Sequence, residues 1–312
     1  MNRLLSVEKL EKSYKDKQVI HGISFEVNKG EILCFLGPNG AGKTTTINIL
    51  TGALGSDAGK IEGNDGSIAQ GLTRFKSRLG VVPQDLALYE DLTAMQNVRF
   101  FASLYGLKGE KLKRQCGEAL EFTVLLDKAN DKVNTFSGGM KRRLNIACAI
   151  AHRPELLIMD EPTVGIDPQS RNHILSSIKQ LCSGGMTILY TTHYMEEVEE
   201  ISTRIIIMDN GKIIASGTKE QLKESIENER QFFIEYECAR PLSTDEFYKI
   251  EGVKKAVANG GLLEITTLKG IENLDHIIAA LIGAGAKINN ISCRTASLET
   301  VFLKLTGKSL RD

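Results

Sequence analysis

The sequence has no long apolar run, no excess of either charge and no apolar leader. No stretch approaches the roughly 18 consecutive apolar residues of a transmembrane helix, so we expect no direct membrane span. The N-terminal segment lacks the apolar core of a signal peptide, so we expect none. Because 39 basic residues balance 39 acidic ones, charge gives no case for nucleic acid or an anionic membrane surface as the main partner.

Cysteine and histidine show no ligand spacing. The six cysteines are scattered and form no C-x-x-C pair, so we expect free thiols in a reducing cytosol rather than disulfides or a zinc site. They are Cys34, Cys116, Cys148, Cys182, Cys238 and Cys293. Apart from His193, the histidines form no spaced ligand set, so we expect no metal at any of them. These are His21, His152, His173 and His276.

Apolar runs predict the strands of a parallel sheet. Residues 32–36 and 156–159 are apolar at consecutive positions, which is typical of strands covered on both faces. Each run ends in a polar cluster, and ligands collect at the carboxyl ends of strands in open α/β sheets. Two further strands are predicted at 187–191 and 204–208, with helices at 138–152, 170–181 and 195–201.

After Ser216 the pattern changes to that of a smaller α+β unit. A charged helical connector is predicted at 219–230, followed by a strand at 232–236 and a helix near 244–250. Two strands meet around 259–261, and a helix, a strand and a helix follow at 271–283, 288–293 and 297–305. This order predicts a ferredoxin-like βαββαβ domain. The predicted limits are 1–218, 219–230 for the connector, and 231–312.

A complete phosphate-binding motif, G-x-x-x-x-G-K-[ST], lies between a predicted strand and a helix at 45–50. It comprises Gly37, Pro38, Asn39, Gly40, Ala41, Gly42, Lys43 and Thr44, and we include Thr45 in the predicted ATP site. The glycines let backbone N–H groups and the helix N-terminus converge on phosphate oxygens. Lys43 is predicted to reach the β- and γ-phosphates, and the Thr44 hydroxyl to bind Mg²⁺. An ordinary glycine-rich turn would not require this strand–loop–helix setting.

Two carboxylates follow the second buried strand. Strand alternation points Asp160 and Glu161 to opposite faces, which predicts separate roles. Asp160 is expected to hold Mg²⁺, and Glu161 to accept a proton from the attacking water. Paired with the phosphate motif, these residues point to ATP hydrolysis rather than to a pair of exposed carboxylates.

The segment Ser137-Gly138-Gly139 opens a predicted helix shortly before the acidic strand. It resembles the signature motif of ATP-binding-cassette (ABC) ATPases, although Phe136 and Met140 stand where Leu and Gln are commoner. A serine cap with bare N–H groups is itself an anion site. The resemblance implies that this helix contacts ATP.

Further residues match the same family in order along the chain. The resemblance implies that Tyr14 stacks on adenine and that Gln84 senses Mg²⁺ and the attacking water. It implies that Asp167 meets the opposing subunit and that His193 is the switch histidine near the γ-phosphate. We expect the neighbouring basic run 141–143 to be solvated or to support the interface.

Two segments narrow the resemblance to the drug-resistance and nutrient-efflux branch, the type-2 exporters. They are 88–93 with Asn97, and 296–302. The resemblance implies a P-loop cassette whose mostly parallel core sheet carries an antiparallel and a helical subdomain. It also implies an integral-membrane permease on a separate chain and a head-to-tail dimer with an identical or closely related ATPase subunit. Each ATP would lie between one subunit's phosphate loop and the other's Ser-Gly-Gly helix, at the cytoplasmic face of the cell membrane.

The segment 84–105 is a candidate docking surface for the permease. It is rich in apolar residues, of which we expect about half to belong to the core: Leu86, Leu88, Tyr89, Leu92, Met95, Phe100, Phe101 and Tyr105. The remainder would form a groove for a cytoplasmic helix of the partner.

Two other function classes compete with transport. A soluble ABC ATPase acting on the ribosome or nucleic acid usually has two cassettes or long insertions, which this sequence lacks. A regulatory subunit without useful hydrolysis would be expected to lack Glu161 or His193, and both are present.

Overall fold

The computed structural model describes residues 3–63, 66–67, 72–226, 229–294 and 297–307. The chain forms two compact units, one of Met1–Lys219 with Leu305–Asp312 and the other of Glu220–Lys304. Within the described ranges, no helix combines the length and the apolar character that crossing a bilayer requires.

The first unit is built on a six-stranded sheet in the order β10-β9-β3-β8-β7-β6. The strands are β3 (Ile32–Leu36), β6 (Leu79–Val82), β7 (Leu156–Asp160), β8 (Thr187–Thr192), β9 (Arg204–Asp209) and β10 (Lys212–Gly217). All neighbours pair in parallel except β10, which is antiparallel to β9. Every residue of β3, β7 and β8 is buried. The predicted strands of the parallel core are therefore confirmed.

An antiparallel sheet in the order β2-β1-β4-β5 packs on this core. Its strands are β1 (Arg3–Tyr14), β2 (Lys17–Asn28), β4 (Ala58–Gly63) and β5 (Gly66–Ser67). The two sheets share one apolar cluster, in which the rings of Phe25 and Phe35 meet edge to face with centroids 5.1 Å apart. Ala41 of the phosphate motif belongs to the same apolar cluster, so the loop packs on the core that the two sheets share.

The helices of the first unit are α1 (Lys43–Leu50), α2 (Leu72–Lys76), α3 (Ala94–Leu104), α4 (Gly109–Phe122), α5 (Gly138–Ile150), α6 (Pro168–Ser183) and α7 (Met195–Ile201). Helices α3, α4 and α5 pack together as a helical subdomain. Thr93 and Gln96 form a capping box at the start of α3, which satisfies backbone N–H groups that have no partner within the helix. The three predicted helices at α5, α6 and α7 are confirmed, as is the fold class.

The second unit is a four-stranded antiparallel sheet in the order β12-β13-β11-β14. Its strands are β11 (Glu229–Glu237), β12 (Val253–Asn259), β13 (Leu262–Leu268) and β14 (Lys287–Arg294), with α9 (Leu274–Gly283) inserted before the last. Helix α8 (Lys219–Ile226) precedes the sheet and α10 (Leu298–Thr306) follows it. The strand order is the one that a ferredoxin-like unit requires.

Two predicted helices in this part of the chain were wrong in extent. The helix expected at 244–250 is only a 3₁₀ turn, Phe247–Lys249, because Ser243 and Asp245 bond to each other in a local turn that competes with a helix. The connector helix ends at Ile226, and pairing with β13 begins at Glu229. Residues 227 and 228, and Ala296 of the exporter-like segment, lie outside the described residues.

Candidate functional site

The phosphate motif forms the turn between β3 and α1, and its glycines are required by the geometry. Gly42 has φ +101°, and a Cβ there would lie 2.7 Å from Cδ1 of Ile20. A Cβ at Gly37 would overlap the carbonyl oxygen of Met208. The loop therefore follows a path that side chains would obstruct.

The Lys43 amine is buried beneath this loop, with a relative exposure of 4%. Its Nζ donates to the carbonyl oxygens of Gly37 at 2.7 Å and Pro38 at 3.1 Å, and lies 3.2 Å from Oε1 of Glu161. Burial lowers the pKa of Lys43, and the Glu161 carboxylate opposes that shift. A positive charge is thereby held at the point where the loop would receive phosphates.

Two of the three residues expected to bind Mg²⁺, Asp160 and Thr44, fit a hard cation. Asp160 ends β7 and is buried, and burial raises its pKa, while hydrogen bonds from the Thr191 and Thr44 hydroxyls oppose the rise. The Thr191 hydroxyl donates to Oδ1 of Asp160 at 2.6 Å. A carboxylate beside a hydroxyl supplies oxygen ligands of the kind Mg²⁺ prefers. A bound cation would also offset the cost of burying the carboxylate charge.

Glu161 lies just beyond the strand, and the alternation expected from an extended strand does not apply to it. Its φ of +46° turns the chain, and its N–H lies 3.2 Å from the carbonyl oxygen and 3.0 Å from the hydroxyl of Thr191. Oε1 faces Lys43, and Oε2 lies 3.3 Å from Nδ1 of His193. That last pair is close but is not aligned as a hydrogen bond. Asp160 and Glu161 therefore have different partners. The cause is the left-handed backbone of Glu161 and not the alternation of side chains along a strand.

The Ser-Gly-Gly helix contacts the start of α6. The Ser137 hydroxyl caps α5 by accepting from the N–H of Met140 at 3.3 Å. Asp167 caps α6 by accepting from the N–H of Ser170 at 2.9 Å, and that bond, with one to the Ser170 side chain, lowers the pKa of Asp167. A Cβ at Gly139 would overlap the Ser170 hydroxyl. The two helix starts are therefore packed directly on each other.

Several predicted site residues are exposed, in contrast to the buried Lys43–Glu161 pair. Tyr14 ends β1 with a relative exposure of 48%. The side chains of Gln84, Ser137 and Asp167 are also exposed, and so is Gly138. These groups are open to a nucleotide or to another chain, and the structure leaves their assigned roles as predictions.

Of the two roles that we expected for the basic run 141–143, solvation is wrong, and support of the interface stays a prediction. Arg142 is buried and donates to the carbonyl oxygens of Pro83 at 2.8 Å and Gln84 at 2.7 Å. Lys141 lies 2.6 Å from Glu90, and Arg143 donates to the Thr123 carbonyl oxygen at 3.0 Å. Arg142, at the start of α5, thereby supplies hydrogen-bond donors to two backbone carbonyl groups of the loop that contains Gln84.

Two residues that organise the site were not predicted from the sequence. Thr191 bridges Asp160 and the backbone of Glu161, but it was predicted only as part of a strand. Glu197 is fully buried on α7 and accepts several hydrogen bonds. A signal for Glu197 was present, since it shares a helix face with the apolar Ile201.

The sequence of this chain matches a known protein family and is similar to named relatives. Residues 20–164 match the ABC transporter family. The chain is 42% identical over 327 residues to the linearmycin resistance ATP-binding protein LnrL of Bacillus subtilis (strain 168), covering 99% of this chain and 100% of the relative. It is 37% identical over 315 residues to the Nod factor export ATP-binding protein I of Burkholderia pseudomallei (strain 1710b), covering 99% and 98%.

A solved structure has the same fold. The dimeric ATP-binding cassette MJ0796, in a post-hydrolysis state bound to ADP and Pi, matches with a TM-score of 0.63 and 25% identity. The match covers 69% of this chain and 98% of that chain.

Proposed function

The chain belongs to the ABC transporter family, and from this premise we propose that it drives export through a membrane permease carried on a separate chain. It is an ATP-binding subunit that hydrolyses ATP. Its relatives are named for linearmycin resistance and for Nod factor export. We propose that this chain also acts in export and that it lies at the cytoplasmic face of the membrane.

One observation supports the proposed chemistry above others, namely the grouping of Lys43, Glu161 and His193. Lys43 binds the β- and γ-phosphates, and Glu161 takes a proton from the water that attacks the γ-phosphorus. The bond to the ADP oxygen breaks, and His193 orients the γ-phosphate. Bound Mg²⁺ neutralises phosphate charge, and we propose Thr44, Asp160 and Gln84 as the residues that hold it.

The exposed residues at two helix starts support a dimer. Ser137 and Gly138 present the N-terminus of α5 outward, and Asp167 stands exposed at the start of α6. We propose that ATP lies between one subunit's phosphate loop and this surface of a second subunit. Backbone N–H groups at a helix start suit phosphate oxygens.

An aromatic cluster of Tyr89, Phe100 and Phe101 is the proposed docking surface for the permease. The ring centroid of Tyr89 lies 5.0 Å from that of Phe100 and 6.2 Å from that of Phe101. Tyr89 is 50% and Phe100 39% exposed. Asn97, which is buried, fixes the loop because it bonds to both the N–H and the carbonyl of Tyr89. Of the eight apolar residues singled out in segment 84–105, five are half-buried and three, Leu86, Tyr89 and Phe100, are exposed.

Transport by the complex tests the export proposal. The variant Tyr89→Ser with Phe100→Ser removes exposed apolar area, so it should still fold and hydrolyse ATP. It should fail to co-purify with the permease, and transport should be lost. Ile282→Ser is the control because its side chain is 62% exposed in the other unit. A double variant that assembles and transports like wild type would refute this docking surface.

The competing functions gain no support. No relative or structure reported above is named for action on the ribosome or nucleic acid. We propose that the C-terminal unit stabilises the dimer, and the domain limits at 218 and 231 stay predictions.

A further inference from the structure

Glu197 on α7 is the centre of a buried hydrogen-bond network in the first unit. Its side chain is fully buried, yet it accepts from four donors. Oε1 accepts from the Thr163 hydroxyl at 2.6 Å and from Nε of Arg171 at 2.9 Å. Oε2 accepts from the hydroxyls of Tyr190 at 2.8 Å and Thr192 at 2.7 Å. One carboxylate therefore joins a loop, the end of β8 and helices α6 and α7.

The first of these bonds anchors the loop that runs from Glu161 to Asp167. Thr163 lies within that loop, and its carbonyl oxygen accepts from the N–H of Ile166 at 3.2 Å. The side chain of Thr163 is fixed to Glu197 while its backbone shapes the turn toward Asp167. A shift of the carboxylate would move this loop relative to Glu161.

The other carboxylate oxygen of Glu197, Oε2, is bonded to the residue that precedes His193. The Thr192 hydroxyl, one residue before His193, donates to Glu197 and accepts from the N–H of Tyr194 at 2.9 Å. The guanidinium of Arg171, itself bonded to Glu197, lies 4.9 Å from the centroid of the Tyr194 ring. The chain is thereby held on both sides of His193.

The network requires a carboxylate rather than an amide. Burial first, and then the charge of Glu197, raise the pKa of Tyr190 well above its ordinary value, so its hydroxyl stays a donor. Arg171 supplies the compensating charge that a buried carboxylate needs. A glutamine has one oxygen and an NH₂ group that can only donate, so it cannot accept from all four partners.

We propose that Glu197 is a positioning residue for ATP hydrolysis, holding His193 and the loop from Glu161 to Asp167 in one arrangement. This inference rests on the roles proposed above for Glu161 and His193. Glu197 acts through these residues and the loop, and it affects the rate of the chemical step rather than the binding of ATP.

The variant Glu197→Gln of the full chain tests the proposal. We expect kcat for ATP hydrolysis to fall by about 10–100-fold, because small displacements of reacting groups are costly. The KM and Kd for ATP should stay near wild type, since the phosphate loop is unchanged. The control is Glu200→Gln, which lies on the same helix and loses an exposed ion pair with Lys179. It should behave like wild type.

A second pair of variants tests whether the effect passes through His193. Thr192→Val removes the hydroxyl beside His193 and should lower kcat while ATP binding is retained. Combining Glu197→Gln with His193→Ala should cost less than the product of the two single losses, because coupled residues are not additive. If the two losses of kcat multiply in full in the double variant, Glu197 does not act through His193.

Wild-type kcat in a folded Glu197→Gln variant, or equal losses of kcat and ATP affinity, would overturn the proposal. If Glu197→Gln does not fold, Thr192→Val decides, and wild-type kcat in that variant overturns the proposal. A failure of the proposed function gives a different result, since Glu161→Gln would then turn over ATP as fast as wild type.

Discussion

Nζ of Lys43 lies 3.2 Å from Oε1 of Glu161, and both side chains are almost completely buried. The residue that we propose to bind phosphate and the proposed general base are therefore each other's charge partners. Buried ion pairs are costly to break from one side, because the remaining charge loses its compensation. Variants at either position must be compared through ATP binding as well as turnover.

Lys43→Ala should weaken ATP binding and hydrolysis together. The variant removes the charge that we propose faces the β- and γ-phosphates, and it leaves the Glu161 carboxylate buried without its lysine partner. Equilibrium binding of ATP and steady-state turnover are the measurements. Lys179→Ala, which removes an exposed lysine paired with Glu200, is the control. Wild-type ATP affinity in Lys43→Ala would contradict its assignment.

ATP should drive dimerisation when hydrolysis is blocked. In Glu161→Gln, ATP bound between two subunits acts as a ligand of the dimer, and mass action shifts the population. Size exclusion with and without ATP measures the shift. Adding Ser137→Arg should abolish the dimer, because bulk and charge would block the start of α5. A Glu161→Gln protein that binds ATP yet stays monomeric would count against a shared site.

Gly139→Ala should destabilise the fold, whereas Gly138→Ala should not. A Cβ at Gly139 would collide with Ser170, but at Gly138 no atom lies within 4 Å. Forcing an atom into a packed contact costs about 1–3 kcal/mol. Denaturant unfolding midpoints of the two variants measure the difference. Equal midpoints would show that the two helix starts are not tightly packed.

His152 should make stability fall on mild acidification. Its ring stacks on Tyr105 with centroids 3.5 Å apart, and Nε2 lies 2.8 Å from the carbonyl oxygen of Leu79. Burial lowers the pKa of His152 below its ordinary 6.5, so the unfolded chain takes up this proton first. The contribution of neutral His152 to the free energy of unfolding is therefore complete above about pH 6.5, and it is lost as the pH falls below that value.

The slope of Tm against pH checks this prediction. His152→Phe should flatten the slope between about pH 6.5 and 5.5, because the replacement does not titrate. His276→Gln, which changes an exposed histidine of the other unit, should keep the wild-type slope. Identical slopes for His152→Phe and wild type would contradict the prediction.

The predicted elements that were confirmed are those with strong local signals. The runs that became β3 and β7 are apolar at every position before their polar ends, and Ser137 caps α5 as the signature motif implied. Lys43 and Glu161 lie together because each follows the carboxyl end of a strand of the same parallel sheet, β3 and β7, with β8 between them.

The burial of Arg142 and the hydrogen bonds of Glu197 depend on contacts between distant parts of the chain. Arg142 is buried because carbonyl groups some 58 residues earlier in the chain accept its hydrogen bonds, and no local pattern reveals that. The four donors of Glu197 come from three separate parts of the chain, namely the loop after β7, helix α6 and strand β8. The helix expected at 244–250 failed because local side-chain bonds outweighed a weak helical pattern.

ATP turnover by Glu161→Gln, measured with ATP binding on the same preparation, tests the central claim most directly. A glutamine keeps the size of Glu161 but cannot take the proton, and loss of a general base costs about 10²–10⁴-fold in rate. We predict ATP binding retained with turnover reduced by that factor. Equal turnover by Glu161→Gln and the wild-type protein would contradict the account.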